Sequence, residues 1–546
     1  MRILLRNIHL IMAMIMVSCL HDVLAQVQDW DWVENEAGQG SEFALDIASD
    51  GAGNSYVLAT IGDSTTYQGT YYDTMGSLLA KYSPEGAFLW AGFMPSVQAQ
   101  TIAINDDRIA IAGMCWGAGS IGGQAFSVNT DYTGLFSVLM DTIGSTIWLA
   151  IDSVEGTVEA SDIALTANDE VVLTGYLGGM LYHNGNELAT TATKNILISK
   201  HSSGGALDWV KIVGDETSKS WGKGVCVDGA GSVYVTGKIG CDTCYFDTLV
   251  TTRPSYFITR LSATGEFEWV RDGSLAYGTD VEFAAGLGVV STGYFTSGTS
   301  AFGDPAPTSL GTEMFLVNYD PSGNLIWFTR SEALTDSSYC TGERLAVDGQ
   351  GNIYVGGAAR FSIQIGATGS LMGFTGMHLT QYDLLGTPHW SAFMRCTDPT
   401  ADELLEVTGV ACDADNHGYL CGFYRQQSNS PGGYLVYDND SILCNGGYDF
   451  FIARTGTASL GVVSIPEEPP IMLVPNPCSD RLNIYCTQRS WIGSSLTIYS
   501  ANGSVVQRTS LSGSVSPIDI SVMSSGLYTV VFTGAVVHCA RFIIER

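Results

Sequence analysis

The stretch VCVDGAGSVYVTG, residues 225–237, occurs in seven related versions along the chain. In each version two apolar runs flank a turn rich in Asp, Gly and Asn, which predicts a β-hairpin. The versions recur about every 60 residues, and a fixed period of this kind indicates a repeat architecture. They occupy residues 45–59, 101–113, 162–175, 225–237, 280–293, 345–357 and 410–422.

Two further strands follow each hairpin in the sequence pattern. The third is apolar, as in SLLAKY (77–82), and a Gly-containing turn leads to a fourth strand that carries a Trp in all units but the last. Trp32 lies 27 residues before Ala59, the separation at which Trp148 precedes Gly175. We therefore expect the N-terminal strand to complete the last unit. Strands that are apolar on both faces indicate that each unit packs between two others.

This pattern, D-x-x-G-N-x-Y-V-x-G followed by a strand, a turn and a Trp, resembles the seven-bladed β-propeller repeat of exported bacterial proteins, a relative of the NHL-type propellers. The resemblance covers about residues 30–460. It implies an all-β fold in which residues 26–460 form a seven-bladed β-propeller, with the N-terminal strand closing the last blade. An open array of sheets is the alternative. The family offers no catalytic motif to transfer.

The N-terminal residues 1–25 have the pattern of a secretory signal peptide. Arg2 and Arg6 precede a short apolar run, and small residues end at Ala25, where we expect cleavage. A lipoprotein cleavage box at Cys19 is the alternative. No later stretch has 18 consecutive apolar residues, so we predict no transmembrane span in the mature chain.

The C-terminal part of the chain is separate from the repeats. Residues 461–471 form a Pro-rich linker, and short β runs between Gly turns in 472–546 predict a small Ig-like β-sandwich. An opening P-N-P-x-x-D-x-L-x-I, an N-G turn and an S-x-G-x-Y-x-V strand resemble the C-terminal sorting domain of the type IX secretion system. The matching residues are Pro475, Asn476, Pro477, Asp480, Leu482, Asn502, Gly503, Gly526 and Tyr528.

The resemblance of the tail implies an export route. The chain would cross the periplasm and then the outer membrane with the type IX secretion machinery as its partner. The product would be secreted or attached to the outer cell surface. An ordinary Ig-like binding module is the alternative for these residues.

Charge and cysteine content narrow the possible partners. The net charge is −31, and without a basic patch a nucleic acid would be repelled, so no nucleic-acid partner is expected. Cys241 and Cys244 are read as a small-loop disulfide or two free thiols, with a metal half-site or a redox site as alternatives. Cys412 and Cys421 flank one hairpin turn, so they can lie near each other.

Motifs for known chemistry are absent from the sequence. No GxSxG, HExxH, Walker-type loop or dinucleotide fingerprint occurs. Residues 413–418, DADNHG, partly resemble a calcium loop but lack its distal Glu, and they occupy the position of a hairpin turn. We therefore expect no cofactor, with calcium at this loop as the alternative.

One aligned position varies in a way that suggests a site. It lies four residues before the turn Asp. If the first strand is innermost, these residues surround one mouth of a central channel, where Asp46, Asp162, Asp280 and Arg344 are the candidates for binding a cation or polar ligand. Polar residues that merely begin a strand in water are the alternative. The aligned residues are Asp46, Thr101, Asp162, Gly224, Asp280, Arg344 and Gly409.

The sequence therefore predicts an exported, non-catalytic binding or adhesion protein with an extracellular glycan or protein as its ligand. The alternative is a secreted polysaccharide hydrolase or lyase at the channel mouth. A glycosidase would need two carboxylates about 5–10 Å apart, and Asp46, Asp162 and Asp280 are the candidates.

Overall fold

In the computed structural model, every regular element of the described residues is a β-strand. The chain divides into two compact units between Leu460 and Gly461, here called the N-terminal and C-terminal units. The described part contains no helix of the length and hydropathy that a membrane crossing requires. The described residues are 26–36, 41–62, 65–105, 107–252, 254–273, 276–296, 309–366, 369–396, 405–425, 434–438, 440–443, 448–456, 471–474, 478–486, 494–500, 504–512, 515–533 and 537–544.

The described strands of the N-terminal unit pair antiparallel in seven groups of four, numbered here along the chain. The first strands of groups 1 to 7 are Phe43–Ser49, Val97–Asn105, Thr146–Leu165, Trp221–Val227, Ala276–Ala284, Arg344–Val347 and Leu405–Cys412. The second strands are Ser55–Ile61, Arg108–Cys115, Val171–His183, Val233–Ile239, Gly288–Phe295, Ile353–Ile365 and Gly418–Arg425. The third strands are Gly76–Tyr82, Thr133–Asp141, Asn195–His201, Ser255–Leu261, Glu313–Tyr319, Gly369–Tyr382 and Tyr448–Thr455. The fourth strands are Phe88–Pro95, Thr146–Leu165, Leu207–Val213, Phe267–Asp272, Leu325–Arg330, Pro388–Cys396 and Trp30–Glu36.

The groups are not identical. Thr146–Leu165 is long enough to be both the fourth strand of group 2 and the first strand of group 3, which joins these groups into one sheet. Short additional strands lie in the connections between second and third strands, and others pair with the strands of group 6. They are Thr65–Tyr67, Thr70–Tyr72, Ala118–Ile121, Gln124–Ser127, Asn186–Thr190, Cys244–Phe246, Leu249–Thr251, Glu332–Ala333, Tyr339–Cys340, Tyr434–Tyr437, Asp440–Leu443 and Gln26–Val27.

The last group contains a strand from the other end of the chain. Trp30–Glu36 pairs antiparallel with Tyr448–Thr455, the pairing that the position of Trp32 predicts. Group 7 also contacts group 1, since the Thr408 hydroxyl donates to the Ala44 carbonyl at 2.9 Å. The first strand of each group likewise contacts the first strand of the next, from group 1 through group 7.

The hydrophobic core lies between neighbouring groups. Between groups 4 and 5, Tyr234 packs in one cluster with Val281 and Phe315, and all three are fully buried. Between groups 7 and 1, Tyr419 packs in another cluster with Ile47. A strand with a core on each side must be apolar on both faces, which explains why the repeats do not alternate.

In groups 1, 4, 6 and 7, an Asp in the hairpin turn fixes the turn and the following strand. In group 4 one carboxylate oxygen of Asp228 accepts the N–H groups of Ala230 and Ser232 at 2.9 and 2.8 Å. Its other oxygen accepts the Tyr234 hydroxyl at 3.2 Å. Gly231 has a φ of 81°, which L side chains rarely adopt. Asp50, Asp348 and Asp413 act in the same way in groups 1, 6 and 7.

A Trp and a Gly connect successive groups. The fourth-strand Trp of one group lies against the Gly in the turn between the third and fourth strands of the next. Between groups 7 and 1, the Trp32 indole covers Gly86 and donates to the Pro84 carbonyl at 2.9 Å. The same contact recurs in the pairs Trp90–Gly144, Trp148–Gly205, Trp209–Gly265, Trp269–Gly323 and Trp327–Gly386.

We expect Gly86→Ala to destabilise the N-terminal unit more than Gly69→Ala. Both glycines have a positive φ, 82° and 78°, so an Ala costs about 1 kcal/mol of backbone strain at either site. Only at Gly86 does the added Cβ meet the Trp32 ring, at 2.9 Å, which adds about 1–3 kcal/mol. Urea unfolding of the two variants measures the difference. Equal losses of stability in the two variants would show that the Trp32 contact does not stabilise the junction between groups 7 and 1.

The C-terminal unit consists of two antiparallel sheets. One has three strands and the other four, and both contribute to a common core that includes Leu482, Ile498, Ile518 and Phe532. The first sheet contains, in spatial order, Ile471–Val474, Arg481–Cys486 and Val515–Asp519. The second contains Val505–Ser510, Ser495–Ser500, Gly526–Thr533 and Val537–Ile544.

Candidate functional site

The aligned aspartates lie close together on the first strands of groups 1, 3 and 5. Asp46 and Asp280 are buried, and Asp162 is partly buried. The Thr101 hydroxyl of group 2 lies between two of them, 3.1 Å from Asp46 Oδ2 and 3.3 Å from Asp162 Oδ1. The structure therefore brings the predicted residues together.

Each of these carboxylates binds backbone N–H groups of two neighbouring groups. In group 5, Asp280 Oδ1 accepts from its own neighbour Val281 at 2.8 Å, and Oδ2 accepts from Leu345 of group 6 at 2.8 Å. The other two aspartates repeat the arrangement, and their role in the fold is to connect first strands. Asp46 binds Ile47 and Ile102, both at 2.9 Å, and Asp162 binds Ile163 at 2.9 Å and Val225 at 2.6 Å.

The glycines at the same aligned position make room for these carboxylates. A Cβ at Gly224 would lie 2.9 Å from Asp280 Oδ1, and one at Gly409 would lie 2.9 Å from Asp46 Oδ1. A side chain at either glycine position would therefore collide with a neighbouring aspartate. The variation that marked this position in the sequence is thus explained by packing.

Arg344 supplies the positive charge among the aspartates. Its Nε donates to the Thr408 carbonyl of group 7 at 3.0 Å. Burial raises the pKa of Asp280 to about 6, an effect that the Arg344 charge opposes. Burial, followed by the charge of Asp280, raises the pKa of Asp162 well above its usual value. Burial also raises the pKa of Asp46.

A β-bulge shifts by one residue which side chain of each first strand faces the cavity. The strand register shifts between Ala44 and Asp46, and the equivalent shift occurs in groups 3, 4, 5 and 7. An extra residue re-aims its side chain. Consequently the residue before the predicted one faces the cavity that opens here. These residues are Leu45, Gln100, Ser161, Lys223, Thr279, Glu343 and Thr408.

The cavity has a volume of about 760 Å³ and receives side chains from all seven groups. Among the described residues its lining includes Arg344 but none of Asp46, Asp162 and Asp280. The three aspartates therefore lie beneath the cavity wall instead of at its surface. The variability of the aligned position correctly marked this region of the fold. The position before it also varies and is mostly polar, so the same signal could have identified the residues that line the cavity.

One wall of the cavity is aromatic and carries a cation. Tyr277 and Tyr294 stack with ring centroids 5.0 Å apart and an interplanar angle of 7°. Lys238 Nζ donates to the Tyr277 hydroxyl at 2.8 Å and lies 3.9 Å from the centroid of that ring. Trp221 completes the wall, with its ring 5.9 Å from the same ammonium group. Sequence reasoning missed these residues because they flank the repeated runs.

The remaining charges of the cavity are mainly acidic. Lys223 pairs with Glu159 at 3.1 Å. Burial raises the pKa of Glu343, and burial followed by the Glu343 charge raises the pKa of Glu406. The cavity thus offers two carboxyl groups with raised pKa values that face the same space, Glu343 partly buried and Glu406 more exposed.

In the loop that was the alternative calcium site, hydrogen-bond donors surround the Asp413 carboxylate. Asp413 accepts the His417 N–H at 2.9 Å and the Tyr419 hydroxyl at 2.9 Å. Arg454 Nη2 lies 3.5 Å from Asp413 Oδ2, and the hydrogen bonds of His417 lower the pKa of Asp413 to about 2 against the effect of burial. Within the described ranges, no three His, Cys, Asp or Glu side chains are grouped to hold a metal ion.

The cysteine predictions have different outcomes. Cys241 and Cys244 form a disulfide in the connection after the second strand of group 4. Cys412 and Cys421 are free thiols, and burial raises the pKa of Cys421. Neither of them is exposed.

Several residues of the tail motif support the C-terminal unit. Leu482 is fully buried in its core, and the Tyr528 hydroxyl donates to the Ser524 carbonyl at 2.8 Å. Gly526 begins a strand with a φ of 153°, and the Asp480 carbonyl accepts the Ile520 N–H at 3.0 Å. The other motif residues, and the expected cleavage site Ala25, lie outside the described residues: Pro475, Asn476, Pro477, Asn502 and Gly503.

Comparison with known families identifies the tail. Residues 472–545 match the family described as the secretion system C-terminal sorting domain. The protein is exported through type IX secretion to the cell surface or the medium, and its tail interacts with that machinery.

Comparison with individual proteins gives no functional argument. No curated protein matches the chain. Among solved structures, the extracellular domain of a hybrid two-component system protein from B. thetaiotaomicron is 10% identical, with 95% of this chain and 100% of that chain covered and a TM-score of 0.17. An apocarotenoid oxygenase mutant from Synechocystis is 10% identical, with 79% and 95% covered and a TM-score of 0.25. Scores this low carry no argument about the fold.

Proposed function

We propose that the protein is an exported, non-catalytic seven-bladed β-propeller that binds an extracellular glycan in the cavity described above. The propeller part of this proposal rests on the seven strand groups and on their repeated Trp–Gly contacts. The strand that begins at Trp30 adds support, because it joins the two ends of the unit. Radial repetition of such sheets leaves only short, protected edges.

The aromatic wall is the observation that carries the binding proposal. Sugar rings present apolar C–H faces and many hydroxyls, so a site for them needs flat aromatic surfaces beside hydrogen-bonding groups. Trp221, Tyr277 and Tyr294 supply the surfaces. Glu343, Glu406 and Gln100 supply acceptors in the same cavity. Its volume of about 760 Å³ lies within the usual range for ligand sites, about 300–1,000 Å³.

Trp221→Ala is expected to weaken glycan binding at least about tenfold, since it removes a stacking surface. The full chain is screened on a glycan array, and the affinity for its best ligand is measured by calorimetry. Tyr245→Ala is the matched control, because Tyr245 is an exposed aromatic residue of the same group that does not line the cavity. Absence of any glycan ligand, or equal loss in both variants, would contradict the proposal.

A polysaccharide hydrolase or lyase is the second candidate, favoured by the raised pKa values of Glu343 and Glu406. A raised pKa is the property that suits a carboxyl group to act as a general acid. The candidate pair differs from the aspartates expected from the sequence, whose oxygens bind backbone N–H groups. Product release from a polysaccharide by the wild type, lost in Glu343→Gln, would establish this candidate and overturn the non-catalytic proposal.

A further inference from the structure

Lys238 is a cation whose charge is not balanced by a carboxylate. Within the described ranges its ammonium group forms no ion pair, and its contacts are the Tyr277 hydroxyl and the rings of Tyr277 and Trp221. A lysine held among aromatic rings is partly dehydrated, so an anion that reaches it forms a stronger contact than in open water.

The other two cations of the cavity are already engaged. Lys223 pairs with Glu159 at 3.1 Å. Arg344 donates to two carbonyl groups, and the charges of Asp280, Asp46 and Asp162 more than offset the effect of burial and raise its pKa. Lys238 is therefore the cation that the described lining leaves for a ligand.

The position of Lys238 indicates where on a bound saccharide an anionic group would lie. Its ammonium group lies over the Tyr277 ring and near Trp221, so an anionic substituent of a saccharide bound at this wall can reach it. Glu343 and Glu406 line the same cavity, where their carboxyl oxygens can accept hydrogen bonds from sugar hydroxyls. The lining therefore fits a ligand with one anionic substituent near the aromatic wall and hydroxyls elsewhere.

We propose that the cavity selects anionic saccharides, and that Lys238 binds their carboxylate or sulfate group. This inference rests on the proposed function and names its ligand class. The overall charge of −31 repels anions at long range, but that repulsion is screened beyond about 8 Å in physiological salt, whereas the Lys238 contact is short. We therefore expect the preference for anionic ligands to appear as slower dissociation of the complex more than as faster association.

The experiment compares trigalacturonate with its carboxyl-reduced counterpart, which has the same rings and linkages without the charge. Calorimetry with the full chain is expected to give at least about tenfold tighter binding of the acid form. Lys238→Met should abolish this preference and leave the affinity for the reduced form within about twofold. Lys219→Met, which removes the same charge from an exposed side chain outside the cavity lining, should keep the preference.

The outcomes separate this inference from the proposed function. Equal binding of both forms would overturn the anion selectivity, and a preference that persists in Lys238→Met would overturn the role of Lys238, while glycan binding stands in both cases. Binding of neither form, nor of any array glycan, would overturn both. A sulfated galactan oligosaccharide that binds in a Lys238-dependent way, when the uronate does not, would identify the anion as a sulfate ester and support the inference.

Discussion

Asp280→Ala is expected to lower the free energy of unfolding of the N-terminal unit by about 3 kcal/mol. The carboxylate accepts two backbone N–H groups, those of Val281 and Leu345, in a buried environment. Alanine leaves both donors without a partner and removes a negative charge from the neighbourhood of Arg344. Urea unfolding of the full chain, followed by tryptophan fluorescence, measures the loss, because all tryptophans except Trp491 precede residue 461.

Asp320→Ala is the matched control in the same strand group. Asp320 Oδ1 also accepts two backbone N–H groups, from Ser322 and Asn324 at 2.9 and 2.8 Å, but in an exposed turn where water can replace it. Asp320→Ala should therefore lower the free energy of unfolding much less than Asp280→Ala does. Similar losses in both variants would contradict a special role of burial at Asp280. An unchanged stability together with weaker ligand binding would instead support the binding role predicted for Asp280 from the sequence.

The repeated local chemistry of the strand groups was predictable from the sequence. The turn Asp, the positive-φ Gly and the Tyr six residues after the Asp form a short-range unit that needs no distant partner. The pairing of Trp30–Glu36 with Tyr448–Thr455 is a long-range contact. It was accessible because Trp32 keeps the repeat spacing and therefore marks a fourth strand.

The site was predicted only in part, and the β-bulge is the physical reason. Alignment correctly showed that Asp46, Asp162 and Asp280 lie near one another, since equivalent positions of equivalent strands meet. It gave no sign that one extra residue in the first strand turns the preceding side chain into the cavity. The extra residues, such as Ser161 and Thr279, need no special backbone conformation, so their sequence carries no turn signature.

The aromatic wall was less predictable still. Trp221, Lys238, Tyr277 and Tyr294 come from two neighbouring groups, and none has a counterpart of the same type throughout the repeat. Their convergence depends on how group 4 packs against group 5. A position that differs between repeats is invisible to a search for repeats, although such differences are where a ligand site within a repeated framework must lie.

Glu282 is a further exception to the repeat, and its position indicates that it lowers the stability of the folded N-terminal unit. It lies two residues after Asp280, where the other groups have Ala48, Ala103, Ala164, Cys226, Ala346 and Ala411. Burial, followed by the charge of Asp280, raises the pKa of Glu282 to about 8, and only the Phe283 N–H opposes the shift. The folded protein therefore holds this proton at pH values where the unfolded chain has released it.

Glu282→Gln is expected to stabilise the N-terminal unit by an amount that grows with pH. The pKa of Glu282 is about 8 in the folded state against 4.5 for a solvated side chain, so below pH 4 both states are protonated and the residue contributes nothing. As the pH rises from 4.5 to 8, wild-type stability falls because only the unfolded state gains from ionisation. The gain of the variant should rise from less than about 1 kcal/mol at pH 5 to about 4 kcal/mol at pH 8 as an upper figure.

Paired urea titrations of wild type and Glu282→Gln at pH 5, 6.5 and 8 test this dependence, since comparison at equal pH cancels the titration of all other groups. Glu216→Gln, which removes the same charge from an exposed side chain of the N-terminal unit, is the control. A gain that is the same at all three pH values would show that Gln acts through packing and not through a retained proton. A loss of stability at pH 8 would mean that the ionised carboxylate has a stabilising partner in the folded protein, which would contradict the raised pKa of Glu282.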